Sequence, residues 1–440
     1  MLLIYLPTVT PRSEYIFELI FRQHFGINYH TTSDTIAFEK HAEEKINYSD
    51  QRLHEEFFIK PSNLLSDDSV KIFDIPVSEK HQTKILFPND ECDLGFDIFS
   101  AIFYMVSRYE EYLPFIPDEY GRFKASDSLA CRNDFLQIPV VDIWINQLKS
   151  ILEKRFPSLE IKPAFFNAMV TYDIDVAYKY KGRSFLRTAG ASIKDILKLD
   201  FNNFSKRIQT LFNLKDDPWN VYDYLSETVG HHQLNAVFFF LLGDASQNDR
   251  NLNYKNPAMK RLVRKVSGFS EIGIHPSFLS SSNPEKFVIE KQRLEKISGK
   301  VITKSRQHFL KFKLPDTYLH LISAGIMEDY SMGYAEMAGF RAGACKPFYF
   351  YDLKNEATTP LRIFPVSCME GSFLKTNLPA EALQKIVQLV DEVKKVNGTF
   401  ISVWHNHTVS EDYTEWKKVH DKMVGKLMKE KALITTLGDA

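Results

Sequence analysis

The sequence predicts an α/β protein in two parts, on three observations. Beyond residue 160, short apolar strands alternate with helical segments, the pattern that builds a parallel sheet, closed as a barrel or left open. Polar residues capable of chemistry stand at or just after the ends of those strands. The first third lacks this alternation and reads as a smaller mixed α/β unit.

In the first unit, residues 1–160, "LLIYLP" predicts a strand and "RSEYIFELIFRQHFG" a helix opened by Ser13 and stopped by Gly26. Short strands are expected in "TIAFEK", "KINYSD" and "EEFFIK". Phe99, Ile102, Phe103 and Val106 then share one helical face, as do Ile143, Trp144, Leu148, Ile151 and Leu152. Pro157 and Pro163 interrupt regular structure and mark a boundary. In the second unit, residues 161–440, strands are predicted in "AMVTY", "AVFFFLL", "EIGIH", "VITKSRQH", near "GIMEDY", and in "AGFRAG", "LRIFPV" and "TFISVWH". Helices such as "PAMKRLVRKVSG" and "PAEALQKIVQLVDEVKKVNG" separate most of them.

The totals exclude several classes. Lys+Arg (55) and Asp+Glu (56) leave a formal net charge of -1, so bulk electrostatics provide no grip on nucleic acid. Cys92, Cys131, Cys345 and Cys368 form no CxxC pair, which excludes a zinc ribbon or a disulfide framework. No stretch is apolar for long enough to span a membrane. The opening "MLLIYLPTVTPRSEY" lacks a basic n-region and meets Pro7 early. The expectation is a cytoplasmic protein with at most peripheral membrane contact.

The chemistry begins at "TYDID". Asp173 and Asp175 alternate onto the same side of a strand, where two carboxylates so close disfavour joint ionisation unless a cation or proton sits between them. That geometry fits a metal, an acid/base pair, or both; a capping Asp beside a solvated one would also produce it. In "EIGIHPSF", His275 ends a strand and Pro276 turns the chain away, with Glu271 four residues earlier as a second ligand-capable group. "SRQHFLKF" offers Arg306, able to orient a carboxylate, and His308, a third candidate ligand. Asp329 and Arg341 follow the next strand ends. "TFISVWHNHTV" closes with His405 and His407, of which His405 is the better placed as a general acid. Residues 178–215 interleave basic and apolar residues, as a lid over an anionic glycan or lipid-linked pyrophosphate would, or as a solvated amphipathic cover would. "SRYEEYL" reads as an ion-pair network between the two units.

The series "TYDID", "AVFFFLLG", "EIGIHPS", "SRQHF" and "SVWHN", over about residues 164–440, resembles the polysaccharide deacetylase family of NodB-homology, carbohydrate esterase family 4 type. The segments "SRYEEYL", "GRFKASDSLA" and "PVVDIW" are similar to those of a bacterial subgroup with an additional N-terminal domain. The resemblance implies a distorted (β/α) barrel and a divalent metal, zinc with cobalt or nickel as alternatives. It also implies hydrolytic removal of acetyl from an N-acetylated sugar of a surface polysaccharide or its lipid- or nucleotide-linked precursor. Asp173 would be the general base, Asp175 and His275 metal ligands, Arg306 the arginine that steers the base, and His405 the acid. Glu271 stands where the motif His-x-x-x-His-Pro has its first histidine, and His308, standing where proline is usual, is a replacement ligand. Arg341, in "GFRAGAC", would contact substrate. Two other readings remain: a DxD metal-dependent glycosyltransferase, which leaves His275, His308 and His405 without a task, and a catalytically inactive glycan-binding barrel.

Overall fold

The computed structural model describes residues 1–80, 82–374 and 378–438, the last eight by backbone alone. Near the N-terminus, β1 (Leu2–Tyr5), β2 (Tyr29–Thr32), β3 (Lys45–Tyr48) and β4 (Phe57–Ile59) pair in parallel in the order β2-β1-β3-β4. The segment "TIAFEK" is a helix, Thr35–Lys40, because the Asp34 carboxylate accepts from the amides of Ile36 and Ala37 and caps it. β5 (Val77–Lys80) and β6 (Thr83–Leu86) form a separate antiparallel hairpin. The helix Ile98–Val106 is buried along its whole length, and Val140–Arg155 buries the face carrying Trp144, Leu148 and Leu152.

The rest of the chain builds one nine-stranded sheet from β7 (Asn167–Ile174), β8 (Asn235–Leu241), β9 (Glu271–His275), β10 (Lys304–Ser305), β11 (Glu328–Asp329), β12 (Phe348–Asp352), β13 (Ala357–Ile363), β14 (Cys368–Met369) and β15 (Thr399–His405). Its order is β12-β13-β11-β10-β9-β8-β7-β15-β14, parallel throughout except for the β12/β13 hairpin. Continuous apolar runs such as that of β8 suit strands covered on both faces.

The expected barrel does not close. Among the described residues no ladder joins β12 to β14. Three of the strands, β10, β11 and β14, have only two residues each, and the antiparallel β12/β13 hairpin ends the sheet. The N-terminal part occupies that edge instead: the Tyr15 hydroxyl donates to the Tyr349 carbonyl, and Arg12 pairs with Glu356. The sheet nevertheless curls. Val237 and Phe239 of β8, Ile401 of β15, Tyr330 after β11 and Phe364 after β13 form a small apolar cluster of their own, although β8 and β11 lie three places apart in the sheet. These residues mark the inner face, and Met169 of β7 packs against them. "AGFRAG" is a turn rather than a strand, and the hairpin strand "FYFYD" has no counterpart among the predicted ones.

That turn carries Arg341, which is buried and forms a bidentate pair with Glu111, Nε to Oε1 at 2.8 Å and Nη2 to Oε2 at 2.6 Å. Arg341 therefore does not line a substrate site: its charge, taken out of water, is committed to a carboxylate. Arg108, also buried, binds Glu111, Glu110 and the Tyr334 hydroxyl. These ion pairs tie the first third of the chain to the sheet. Glu111→Ala takes from the buried Arg341 guanidinium its carboxylate and is expected to cost about 3–5 kcal/mol in urea denaturation, whereas substituting the exposed Glu55 leaves the midpoint unchanged.

Candidate active site and metal centre

Strand periodicity selects the inward residues. Along β7, Met169, Thr171, Asp173 and then Asp175 share a face, and Met169 packs against the inner cluster. On β15 the same parity runs Ile401, Val403, His405, and the register sets His405 opposite Asp173. On β9 it runs Glu271, Gly273, His275, with His275 opposite Leu241 of β8. A Cβ at Gly273 would sit 2.5 Å from the Phe239 ring, so only glycine lets that ring lie inside. The C-terminal ends of these parallel strands thus bring Asp173, Asp175, His275 and His405 to one mouth.

Arg306 follows β10 and is fully buried. Its Nη1 donates to Asp173 Oδ1 at 3.0 Å and to the Thr171 hydroxyl at 2.6 Å, its Nε donates to the Tyr330 carbonyl at 2.9 Å, and the guanidinium lies over the Phe239 ring. Asp173 is held at one oxygen; its Oδ2 lies 3.8 Å from His275 Nε2.

The three imidazoles are oriented alike. His275 Nδ1 is 2.6 Å from the Arg306 carbonyl, an acceptor, so Nδ1 carries a proton, and Nε2 faces Asp175 Oδ1 at 3.1 Å. His308 Nδ1 meets Asp249 Oδ1 at 3.0 Å and its Nε2 lies 3.5 Å from Asp175 Oδ2. His405 Nδ1 meets Glu370 Oε1 at 2.6 Å and its Nε2 lies 3.4 Å from Asp175 Oδ2. Asp175, His275 and His308 each offer a ligand atom within 4.8 Å of the others'. Asp175 Oδ1 is buried and accepts no hydrogen bond. Two imidazole nitrogens and a carboxylate, each imidazole fixed from behind, make a donor set suited to a zinc-like divalent cation with positions left for other ligands.

The charges follow from this packing. Burial opposes ionisation of Asp175, but His308 and His405 hold its carboxyl well below the usual range. Burial likewise opposes the charged form of His308, yet Asp175 and Asp249 outweigh it and push the imidazole up to about 9. For His405, burial is outweighed by Glu370 and Asp175, which raise it well above the ordinary histidine value. His407 is lowered to about 4 by burial and by the charge of His405; it packs near Trp219 and Tyr413 and stays neutral.

Two further expectations need correction. Glu271 is at the opposite end of β9 from His275, about 13 Å away at the rise of an extended strand, exposed and paired with Lys304. The four-residue spacing that suggested a shared ion instead spans the strand's length. Asp329 lies beneath the mouth, buried, accepting from the hydroxyls of Ser305 and Ser331 and the Ser331 amide, which joins β10 to β11. Asp249 and Glu370 were not singled out from the sequence. Both lie just beyond strand ends, in "GDASQND" and "CMEG", where the rule that flagged the histidines also applies.

Raising a group's folded pKa adds stability below the unfolded value that is lost as pH rises through the folded one. For metal-free protein, His308 therefore stabilises the fold fully below about 6.5 and loses that contribution as pH rises through about 9. An NMR titration is expected to find the His308 midpoint near that upper value, and Asp249→Asn to move it downward.

A family of unknown function (DUF7033) matches residues 2–157. No curated protein is a significant match. Among solved structures, the chain is similar to a provisionally named polysaccharide deacetylase from Mycobacterium smegmatis, at 12% identity and a TM-score of 0.41, covering 61% of this chain and 86% of that one. It is also similar to a CE4 family pseudoenzyme from Bacillus anthracis, at 11% identity and a TM-score of 0.32, covering 61% of this chain and 63% of that one. The polysaccharide deacetylase from Bacillus cereus aligns at 12% identity and a TM-score of 0.31, covering 61% and 89%. Overlap this loose carries no argument about chemistry, which rests on the site itself.

Proposed function

We propose that the protein is a metal-dependent hydrolase that removes an acetyl group from an N-acetylated sugar of a surface polysaccharide or its precursor. The observation that carries this reading is the division of labour at the mouth: Asp173 locked by Arg306 on one side, protonated His405 on the other, and the Asp175, His275 and His308 donors between them.

A divalent cation held by Asp175, His275 and His308 would supply Lewis acidity to the scissile carbonyl and to the attacking water. The chain's own groups do the rest. Arg306 keeps Asp173 aimed with one oxygen committed, leaving Oδ2 to take a proton from water. Glu370 fixes the His405 tautomer by accepting from Nδ1, so that Nε2 faces the mouth and can give a proton to the departing amine. A glycosyltransferase of DxD type needs both carboxylates free for a nucleotide-bound cation, whereas Asp173 has one oxygen committed to Arg306.

The test is acetate release from N-acetylhexosamine oligomers. Wild type is expected to turn over, to stop after chelator treatment and to recover with zinc, cobalt or nickel. Asp173→Asn is expected to lose about 10²–10⁴-fold in rate while still taking up zinc. An Asp173→Asn protein as active as wild type, or a metal-loaded wild type that binds glycan without releasing acetate, overturns the reading.

A further inference from the structure

Of the 24 large apolar side chains exposed among the described residues, ten fall within residues 185–214. They belong to two consecutive helices, Phe185–Leu197 and Phe201–Leu211, and to the turns beside them. In the first helix, Phe185, Leu186, Ile193, Ile196 and Leu197 recur at helical spacing, yet no residue of that helix is buried. Phe185, Leu186 and Leu197 are 84%, 82% and 79% exposed. An amphipathic stripe of this kind left in water marks a docking surface.

Charge identifies the partner. Residues 178–215 hold nine Lys and Arg against two Asp, in a chain whose net charge is -1. Arg187, Lys194, Lys198 and Lys215 are exposed beside the apolar stripe. A second copy docking through the same face by a twofold axis would set these cations against themselves. An anionic bilayer accepts both features at once, apolar side chains at the acyl boundary and cations among the headgroups.

The hairpin is also anchored to the active-site mouth. It follows directly on Asp175 in the chain, and Lys179 and Lys206 both pair with Asp412, on the segment that follows His405 and His407. The Arg207–Asp195 pair joins its two helices, and the Tyr180 hydroxyl and Lys179 ammonium bind Asn203 at its base. We propose that this helical hairpin seats the protein on an anionic membrane surface, with the mouth of the site held beside the bilayer. Docking of this kind does not depend on the hydrolytic chemistry, so the two stand or fall separately.

Vesicle co-sedimentation of the full chain tests it. The protein is expected to pellet with vesicles of phosphatidylcholine and phosphatidylglycerol, and to stay in solution with phosphatidylcholine alone or in high salt. Two triple variants, L186S/L197S/F212S and R187E/K194E/K198E, alter exposed positions only; each is expected to lose roughly tenfold or more in binding, with the circular dichroism spectrum unchanged. Binding by both variants equal to wild type, or no binding of wild type to anionic vesicles, overturns the proposal. So does a concentration-dependent dimer in sedimentation equilibrium that the serine variant abolishes, because it would give the face to a second copy.

Discussion

One buried guanidinium organises the site. Arg306 has no access to water, so its charge must be matched inside the protein, and the match is made by Asp173, Thr171, the Tyr330 carbonyl and the Phe239 ring face. These partners come from β7, β8 and the end of β11, which the guanidinium holds together across the curled inner face. The backbone of the same residue acts on the other side: its amide donates to Ile274 and its carbonyl accepts from His275 Nδ1. Arg306 thus orients one carboxylate and fixes the tautomer of a facing imidazole together.

The other two imidazoles are set by the same device with different acceptors. His275 leans on a neutral carbonyl, while His308 and His405 lean on the carboxylates of Asp249 and Glu370. Asp175 before both rings and the carboxylates behind them favour the protonated form, so these two histidines are held as cations when no metal competes. A divalent cation held by Asp175, His275 and His308 would need the His308 Nε2 without its proton, whereas His405 lies outside that donor group. Two histidines with similar surroundings thus differ in whether they belong to that donor group.

Much of the inner face was legible from sequence because strand parity is a local property. An apolar run followed by Asp173 and Asp175, or by His275 and Pro276, places side chains on a face without knowledge of the partner strands. What sequence could not supply was closure and distance. Glu271 has the same parity as His275, and only the strand's extension sets them apart; Arg341 is an arginine in a motif, and only the packing shows that Glu111 claims it. The two-residue strands β10 and β11 were legible as strand ends, but not as the reason the sheet stays open. What Asp249 and Glu370 do was hidden because each acts through a histidine far away in sequence, 59 and 35 residues off.

In the proposed hydrolase, side chains from the ends of β7 and β9 and from the segment after β10 converge on one cation. X-ray data collected at the zinc absorption edge on crystals grown with zinc test this most directly. One anomalous peak is expected about 2.0–2.2 Å from Asp175, His275 Nε2 and His308 Nε2. A peak that excludes His308, or a zinc ion bound elsewhere with these three side chains unmoved, would contradict it.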